Sequence, residues 1–174
     1  MMSINRRPES SEYNPYYKTY IGKVKGDNFV QNLKEQKFET SAMLSKISDE
    51  KWNHKYAPAK WSVKEVMIHI MDTERIFAYR ALRVARNDQT PMPGFEQNDY
   101  VPFCYATQRS GSSIMVEYEA VRNSTVALFE NLREEDWGRL GEASGCPVSA
   151  LALGYMIAGH EIHHIQLLHE RYFK

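Results

Sequence analysis

The sequence predicts an all-α fold: a four-helix bundle of the up-and-down type, with an irregular N-terminal leader and a long loop between its second and third helices. Four segments repeat apolar residues at steps of three and four, which is typical of amphipathic helices. The β-branched residues never cluster between turn signals, so we do not expect a sheet. A chain of 174 residues is large enough for one hydrophobic core. We therefore predict a single domain over residues 1–174.

The leader comprises residues 1–25 and contains two prolines and four tyrosines, Tyr13, Tyr16, Tyr17 and Tyr20. Such a segment needs an apolar surface for its rings, so we expect it to pack on the bundle. The first helix should cover residues 27–47. Its inward stripe carries two polar residues, Gln36 and Thr40, among apolar ones.

The second helix has the clearest start signal in the chain. Ser62 and Glu65 have the spacing of a capping box, in which each side chain bonds the backbone of the other. The helix should continue to about Arg86, where "NDQTPMPG" stops it. The connection over residues 87–110 is then unusually long, and long connections in compact domains are often functional.

Two further helices complete the predicted bundle. The third covers residues 112–132, and its inward stripe includes the polar Thr125. After a break at "GEASGCPVS", the fourth begins near Ser149 and continues almost to the end of the chain.

Composition excludes several classes of partner. The 22 basic and 22 acidic residues balance, so the chain has no overall attraction to nucleic acid or an anionic membrane. No stretch approaches 18 apolar residues, and the basic N-terminus lacks the apolar run of a signal peptide. Cys104 and Cys146 lie far apart, which fits a reducing compartment. We expect a cytoplasmic protein that acts on a small molecule.

The fourth helix carries the most informative motif, "GHEIHHIQLL" at residues 159–168. At about 100° per residue, His160 and His164 fall on the apolar stripe and point inward, whereas His163 flanks it and His169 lies opposite. An unpaired buried imidazole costs on the order of a few kcal/mol. A divalent metal would satisfy both rings at once. The alternative is a pair of core histidines bonded to backbone or tyrosine groups.

Two metal-site classes fail on their remaining ligands. His160 to His164 fits the zinc-protease pattern H-E-x-x-H, but the extended form of that motif needs glycine and histidine where Leu167 and Glu170 stand. Glu161 and His164 fit one half of a di-iron site, yet the sequence holds no second Glu-x-x-His.

An upstream histidine is the better source of a third ligand. His69 lies in the middle of the second helix, at the border of its apolar face, whereas His54 lies in a turn region. Three neutral imidazoles plus solvent make a coordinatively open site, which is the arrangement of metal chemistry rather than of a structural metal.

Three stretches of the sequence resemble one family. They are "RPESSEYNPYYKTYIGKV", "KWSVKEVMIHIMDTERIFAYRALRVARNDQTPMPGFEQNDYV" and "ASGCPVSALALGYMIAGHEIHHIQLLHERY". Together they resemble the DinB-like (DinB/YfiT) superfamily of bacterial metalloproteins. The resemblance implies a four-helix bundle with a divalent ion, such as nickel or zinc, on His69, His160 and His164. It also implies a homodimer.

The resemblance leaves the reaction open. Some branches of the family are similar to S-transferases or isomerases that use a low-molecular-weight thiol in detoxification or stress response, and others were proposed as hydrolases. In the first case the metal binds the thiol as thiolate, and Gln36, Thr40 and Thr125 either line the cofactor cavity or satisfy one another in the core. A third alternative is a non-enzymatic metal-binding stress-response protein.

A hydrolase would need a general base, and two carboxylates are candidates. Glu161 lies about 100° from the ligand stripe, as in zinc proteases, and the alternative is that it forms an ion pair. Asp72 lies one turn from His69, so it acts either as the base or as the group that orients the imidazole.

Overall fold

A computed structural model describes residues 6–174; the first five positions of the predicted leader lie outside the described residues. The described chain is mainly helical, and none of its helices has the length and apolarity needed to cross a membrane. The α-helices are α1 Lys18–Lys23, α2 Phe29–Leu44, α3 Asp49–Asn53, α4 Val63–Ala85, α5 Gln97–Tyr100, α6 Gly111–Glu130, α7 Glu134–Trp137 and α8 Ala150–Leu167.

The four long helices, α2, α4, α6 and α8, form the predicted bundle, which confirms the fold class. Helix α4 packs on α6 and α8, and α2 packs on the same two helices. The first two long helices in the chain, α2 and α4, therefore lie diagonally across the bundle. The predicted capping box begins α4: the Ser62 amide donates to Glu65 Oε2 at 2.6 Å, and the Glu65 amide donates to Ser62 Oγ at 3.2 Å.

A small hairpin corrects the expectation that the chain has no sheet. Strands β1 (Leu140–Ala143) and β2 (Cys146–Ser149) pair antiparallel. Ser144 and Gly145 join them with φ of 55° and 74°, the left-handed conformations that a two-residue hairpin turn requires. Strands this short, without alternating apolar residues, leave no periodic signal in the sequence. The hairpin also binds the long connection, because the Met92 amide donates to the Glu142 carbonyl at 3.0 Å.

The leader is more regular than the sequence suggested, since two 3-10 turns lead into α1. The Arg7 guanidinium donates to the carbonyls of Ile21, at 2.6 Å, and Val24, at 2.9 Å, at the end of α1. Helix α1 packs closely on α8: a Cβ on Gly159 would lie 2.0 Å from the Tyr20 carbonyl oxygen. Only glycine fits at that crossing, and the crossing places Tyr20 beside the histidine motif.

The long connection and the chain end are both tied to the bundle near α4. The buried Arg80 guanidinium donates to the Pro93 carbonyl at 2.5 Å. Helix α8 continues into a π-helical turn over Leu168–Tyr172, and the Tyr172 hydroxyl donates to the Trp61 carbonyl at 2.8 Å. Trp61 is thereby held one residue before the capping serine of α4.

Candidate metal centre

Three imidazoles from two helices converge inside the bundle. Helix α4 supplies His69, and α8 supplies His160 and His164 from successive turns. The Nε2 atom of His160 lies 3.0 Å from Nε2 of His69 and 3.1 Å from Nε2 of His164. The structure thus brings together the three histidines that the sequence suggested, and one ring nitrogen of each lies within 4.8 Å of those of the other two.

Hydrogen bonding alone cannot satisfy this arrangement. A ring nitrogen carries either one hydrogen or one lone pair, so His160 Nε2 can bond only one of its two neighbours. A divalent ion would accept the lone pairs of all three nitrogens. Bonds of about 2.0–2.1 Å from such an ion place neighbouring nitrogens about 2.9–3.4 Å apart in octahedral or tetrahedral geometry. The two observed separations fall within that interval, so the donor set fits a divalent metal.

The electrostatic environment keeps the three imidazoles neutral. Burial lowers the pKa of His69 to about 4. Burial and the neighbouring histidines lower the pKa of His164 to about 3 and that of His160 well below its ordinary value. A metal binds the neutral form of histidine, so the site is prepared for coordination without loss of protons near neutral pH.

Aromatic rings surround the histidines. The Trp61 ring lies 4.9 Å from the His69 ring, and the Tyr20 ring meets the His160 ring edge to face at 5.5 Å. Thr73 Oγ1 lies 3.5 Å from Nδ1 of His69, the nitrogen that faces away from the other two rings. Sequence reasoning missed both Trp61 and Thr73, although Thr73 stands four residues after His69 and so shares its helical face.

A pocket opens beside His69, between α4 and the long connection. Residues 95–104 of the connection form one wall, and residues 65–73 of α4 form the other. The lining residues are Glu65, Ile68, His69, Asp72, Thr73, Phe95, Gln97, Tyr100, Val101 and Cys104. The long connection therefore lies beside His69, one of the three histidines.

Glu161 belongs to a buried ionic network on another side of α8. Its Oε1 accepts hydrogen bonds from Thr40 and from Tyr118, both at 2.7 Å, and its Oε2 pairs with Arg122. Arg122 also binds Glu74, with N···O distances of 2.9 and 2.8 Å. Both oxygens of Glu161 thus have partners within the protein. This favours the alternative to the general-base hypothesis, an ion pair, and the pair lies in the buried core.

The three polar residues suggested as cofactor ligands lie in the core away from that pocket. Gln36 Nε2 donates to the Ala158 carbonyl at 3.0 Å, and Thr40 bonds Glu161. Thr125 is buried beneath a groove between α4 and α6. Gln36 and Thr40 do not bond each other; together with Glu161 they line a different cavity, between α2 and α8.

The sequence did hold a signal for Arg122. It stands four residues after Tyr118 and three before Thr125, on the inward stripe of α6. A charged residue at that position indicates a buried partner, and the partners are Glu74 and Glu161.

Asp72 does lie in the pocket beside His69. Burial raises the pKa of its carboxyl group above the ordinary value. The polar contact to His69 Nδ1 comes from Thr73, so the structure gives Thr73, rather than Asp72, the orienting position.

The fold and the three imidazoles define a helical-bundle protein with a candidate divalent-metal centre. The chain belongs to the DinB superfamily, whose sequence profile matches residues 32–168. The uncharacterised protein YuaE of Bacillus subtilis is 29% identical over 126 residues, which cover 61% of this chain and 73% of YuaE.

Solved structures share the fold. YfiT from Bacillus subtilis, described as a probable metal-dependent hydrolase with an unusual four-helix bundle topology, has a TM-score of 0.63 and 15% identity, over 96% of this chain and 93% of YfiT. A mycothiol-dependent maleylpyruvate isomerase has a TM-score of 0.65 and 14% identity, over 80% of this chain and 59% of the isomerase. The DinB-like protein YjoA from Bacillus subtilis has a TM-score of 0.59 and 24% identity, over 82% of this chain and 87% of YjoA.

Proposed function

We propose that the protein is a metal-dependent enzyme that holds a divalent ion on His69, His160 and His164. The observation that carries this proposal is His160 Nε2, which faces two other imidazole nitrogens at 3.0 and 3.1 Å and can hydrogen-bond only one. Membership of a superfamily with relatives described as metal-dependent supports it. Nickel and zinc both suit imidazole ligands.

Among metal-dependent reactions, we propose transfer or isomerisation with a low-molecular-weight thiol. A divalent ion in this site would lower the pKa of a thiol that reaches it, so the thiol would react as thiolate. In this reaction the electrophile would enter beside His69, where Phe95 and Tyr100 line the side of the connection. Burial raises the pKa of the Cys104 thiol, which keeps that side chain protonated and leaves the nucleophile to the cofactor.

Hydrolysis is the second candidate, and Asp72 is the observation that favours it. Its carboxyl group lies in the same pocket as His69, and burial raises its pKa towards the range of a general base. In that reaction Asp72 would take the proton of the attacking water. Glu161 is unsuited to the same role because Thr40, Tyr118 and Arg122 occupy its oxygens.

Paired activity screens on untagged protein loaded with nickel or zinc distinguish these reactions. One screen offers electrophiles with mycothiol, bacillithiol or glutathione, and the other offers esters and amides without thiol. We expect turnover only with a thiol, its loss in His69→Ala, and its retention in the control His169→Ala. Turnover in the second screen alone would establish the hydrolase. Stoichiometric metal without turnover in either screen would leave a metal-binding protein that is not an enzyme.

A further inference from the structure

The end of the chain is anchored to the start of α4. Helix α8 continues into the π-helical turn Leu168–Tyr172, where the Phe173 amide donates to the Leu168 carbonyl at 3.1 Å. Tyr172 is only 2% exposed, and its hydroxyl donates to the Trp61 carbonyl at 2.8 Å. Trp61 directly precedes the capping residue of α4. This bond therefore ties the end of one histidine-bearing helix to the start of the other.

The π-helical turn sets the direction of the Tyr172 side chain. In an uninterrupted α-helix, residue 172 would lie about 80° from His164 around the helix axis. Hydrogen bonds from i to i+5 put more residues into each turn, so each residue advances by a smaller angle. The turn therefore rotates Tyr172 back towards the stripe of His160 and His164, which faces His69 on α4. Such turns are rare and occur frequently at functional sites.

Trp61 carries this constraint to His69. The centroids of the two rings lie 4.9 Å apart, and their planes are inclined by 55°. Trp61 precedes the helix, so the hydrogen bonds within α4 do not hold it in place. The contact of His69 Nδ1 with Thr73 Oγ1, at 3.5 Å, is long for a hydrogen bond. Packing against Trp61 is therefore an important restraint on the His69 ring.

We propose that Tyr172 is a positioning residue of the metal centre: by holding Trp61 against His69, it keeps the third imidazole within reach of His160 and His164. The consequence for metal binding rests on the proposed function. The placement of the His69 ring rests only on the contacts among Tyr172, Trp61 and His69.

Titration of untagged, metal-free protein with Co²⁺ tests the proposal, with visible absorption reporting coordination. Tyr172→Phe keeps the ring and removes the hydrogen bond, and we expect it to weaken Co²⁺ binding by about three- to tenfold. Tyr155→Phe is the matched control, because Tyr155 is also a buried residue of α8 and its hydroxyl donates to the Arg6 carbonyl at 3.3 Å. The control should leave Co²⁺ affinity unchanged. Equal losses of affinity in the two variants would overturn the proposal.

A double-mutant cycle shows whether Tyr172 acts through Trp61. Trp61→Leu removes the ring that packs on His69 but leaves the carbonyl that Tyr172 binds. In the Trp61→Leu background, Tyr172→Phe should therefore weaken Co²⁺ binding by less than about twofold. Circular dichroism establishes beforehand that each variant is folded. Losses of affinity that simply multiply in the double variant would overturn the proposal.

A measurement on metal-free protein separates the placement of His69 from the metal function. Nuclear Overhauser effects between the Trp61 indole and the His69 imidazole report the contact directly, and Tyr172→Phe should weaken or abolish them. If the unaltered protein takes up no Co²⁺ but Tyr172→Phe loses these signals, the proposed metal function fails and the placement by Tyr172 stands. Signals that survive Tyr172→Phe unchanged would overturn the proposal, whether or not the protein binds Co²⁺.

Discussion

At the scale of single residues, His160 connects the two halves of the candidate metal centre. Its Nε2 lies within 3.1 Å of nitrogens from both α4 and α8. The neighbouring Glu161, one residue on, points instead to Arg122. Adjacent positions on one helix thus serve two different environments, a metal site and a buried ionic network, because a step of about 100° separates their side chains.

Alanine substitution tests each histidine as a ligand. Replacing His69, His160 or His164 should abolish stoichiometric metal in untagged protein, because two imidazoles bind a divalent ion far more weakly than three. The exposed His169 is the matched control, and His169→Ala should keep its metal. Elemental analysis by mass spectrometry measures the outcome. Full metal retention in His69→Ala would show that the third ligand lies elsewhere.

The buried histidines also predict how stability depends on pH. In the unfolded chain His69 takes up a proton near pH 6.5, whereas the folded protein holds its pKa at about 4. The unfolded state therefore binds more protons between these values, and stability is lost as pH falls. The shifted pKa of His69 alone should lower the free energy of unfolding by about 2 kcal/mol when the pH falls from 7 to 5. Denaturant unfolding of metal-free protein at the two pH values measures this loss.

The same pKa values predict that the stabilisation gained on adding metal persists to pH 5. Ordinary histidines would bind protons in the folded state below about pH 6 and weaken the site. Here burial keeps His69 and His164 neutral in the folded protein, so protons should compete with the metal only below about pH 4. A gain in melting temperature that shrinks steeply between pH 7 and pH 5 would contradict this expectation.

At the scale of elements, Arg122 joins all four long helices. It binds Glu74 on α4 and Glu161 on α8, and it donates to the Leu33 carbonyl on α2 at 3.1 Å. Because Arg122 is fully buried, its loss would leave two carboxylates without a counter-charge.

Arg122→Ala should therefore destabilise the protein by about 3–5 kcal/mol in denaturant unfolding. The exposed Glu39→Gln, on α2, serves as the control and should change stability by less than about 0.5 kcal/mol. A loss below about 1 kcal/mol in Arg122→Ala would mean that the network does not hold the helices together.

The contact between α1 and α8 gives a second test at this scale. Gly159→Ala places a methyl group against the Tyr20 carbonyl and should cost about 1–3 kcal/mol through overpacking. It should also displace Tyr20 from His160 and speed metal removal by a chelator. Gly22→Ala is the matched control, since a Cβ there meets nothing within 4 Å. Equal chelation rates in the two variants would show that the leader does not shield the site.

At the scale of the whole molecule, the diagonal placement of α2 and α4 decides which side chains meet. Helix α4 packs on both α6 and α8. Its residue His69 can therefore meet the histidines of α8, while its residue Glu74 forms an ion pair with Arg122 of α6. The leader and the long connection then enclose the histidines from two directions, with Tyr20 beside His160 and Phe95 in the pocket beside His69.

Local patterns in the sequence were enough to predict the four long helices, the capping box at Ser62 and the inward-facing pair His160 and His164. These features depend on residues a few positions apart in the chain, so helical periodicity is sufficient to predict them. Helix packing, which the sequence patterns do not contain, was needed to show that His69 reaches that pair and that Glu161 binds Arg122. Those contacts join residues far apart in the chain, and the packing order of the helices, which local periodicity does not encode, brings them together.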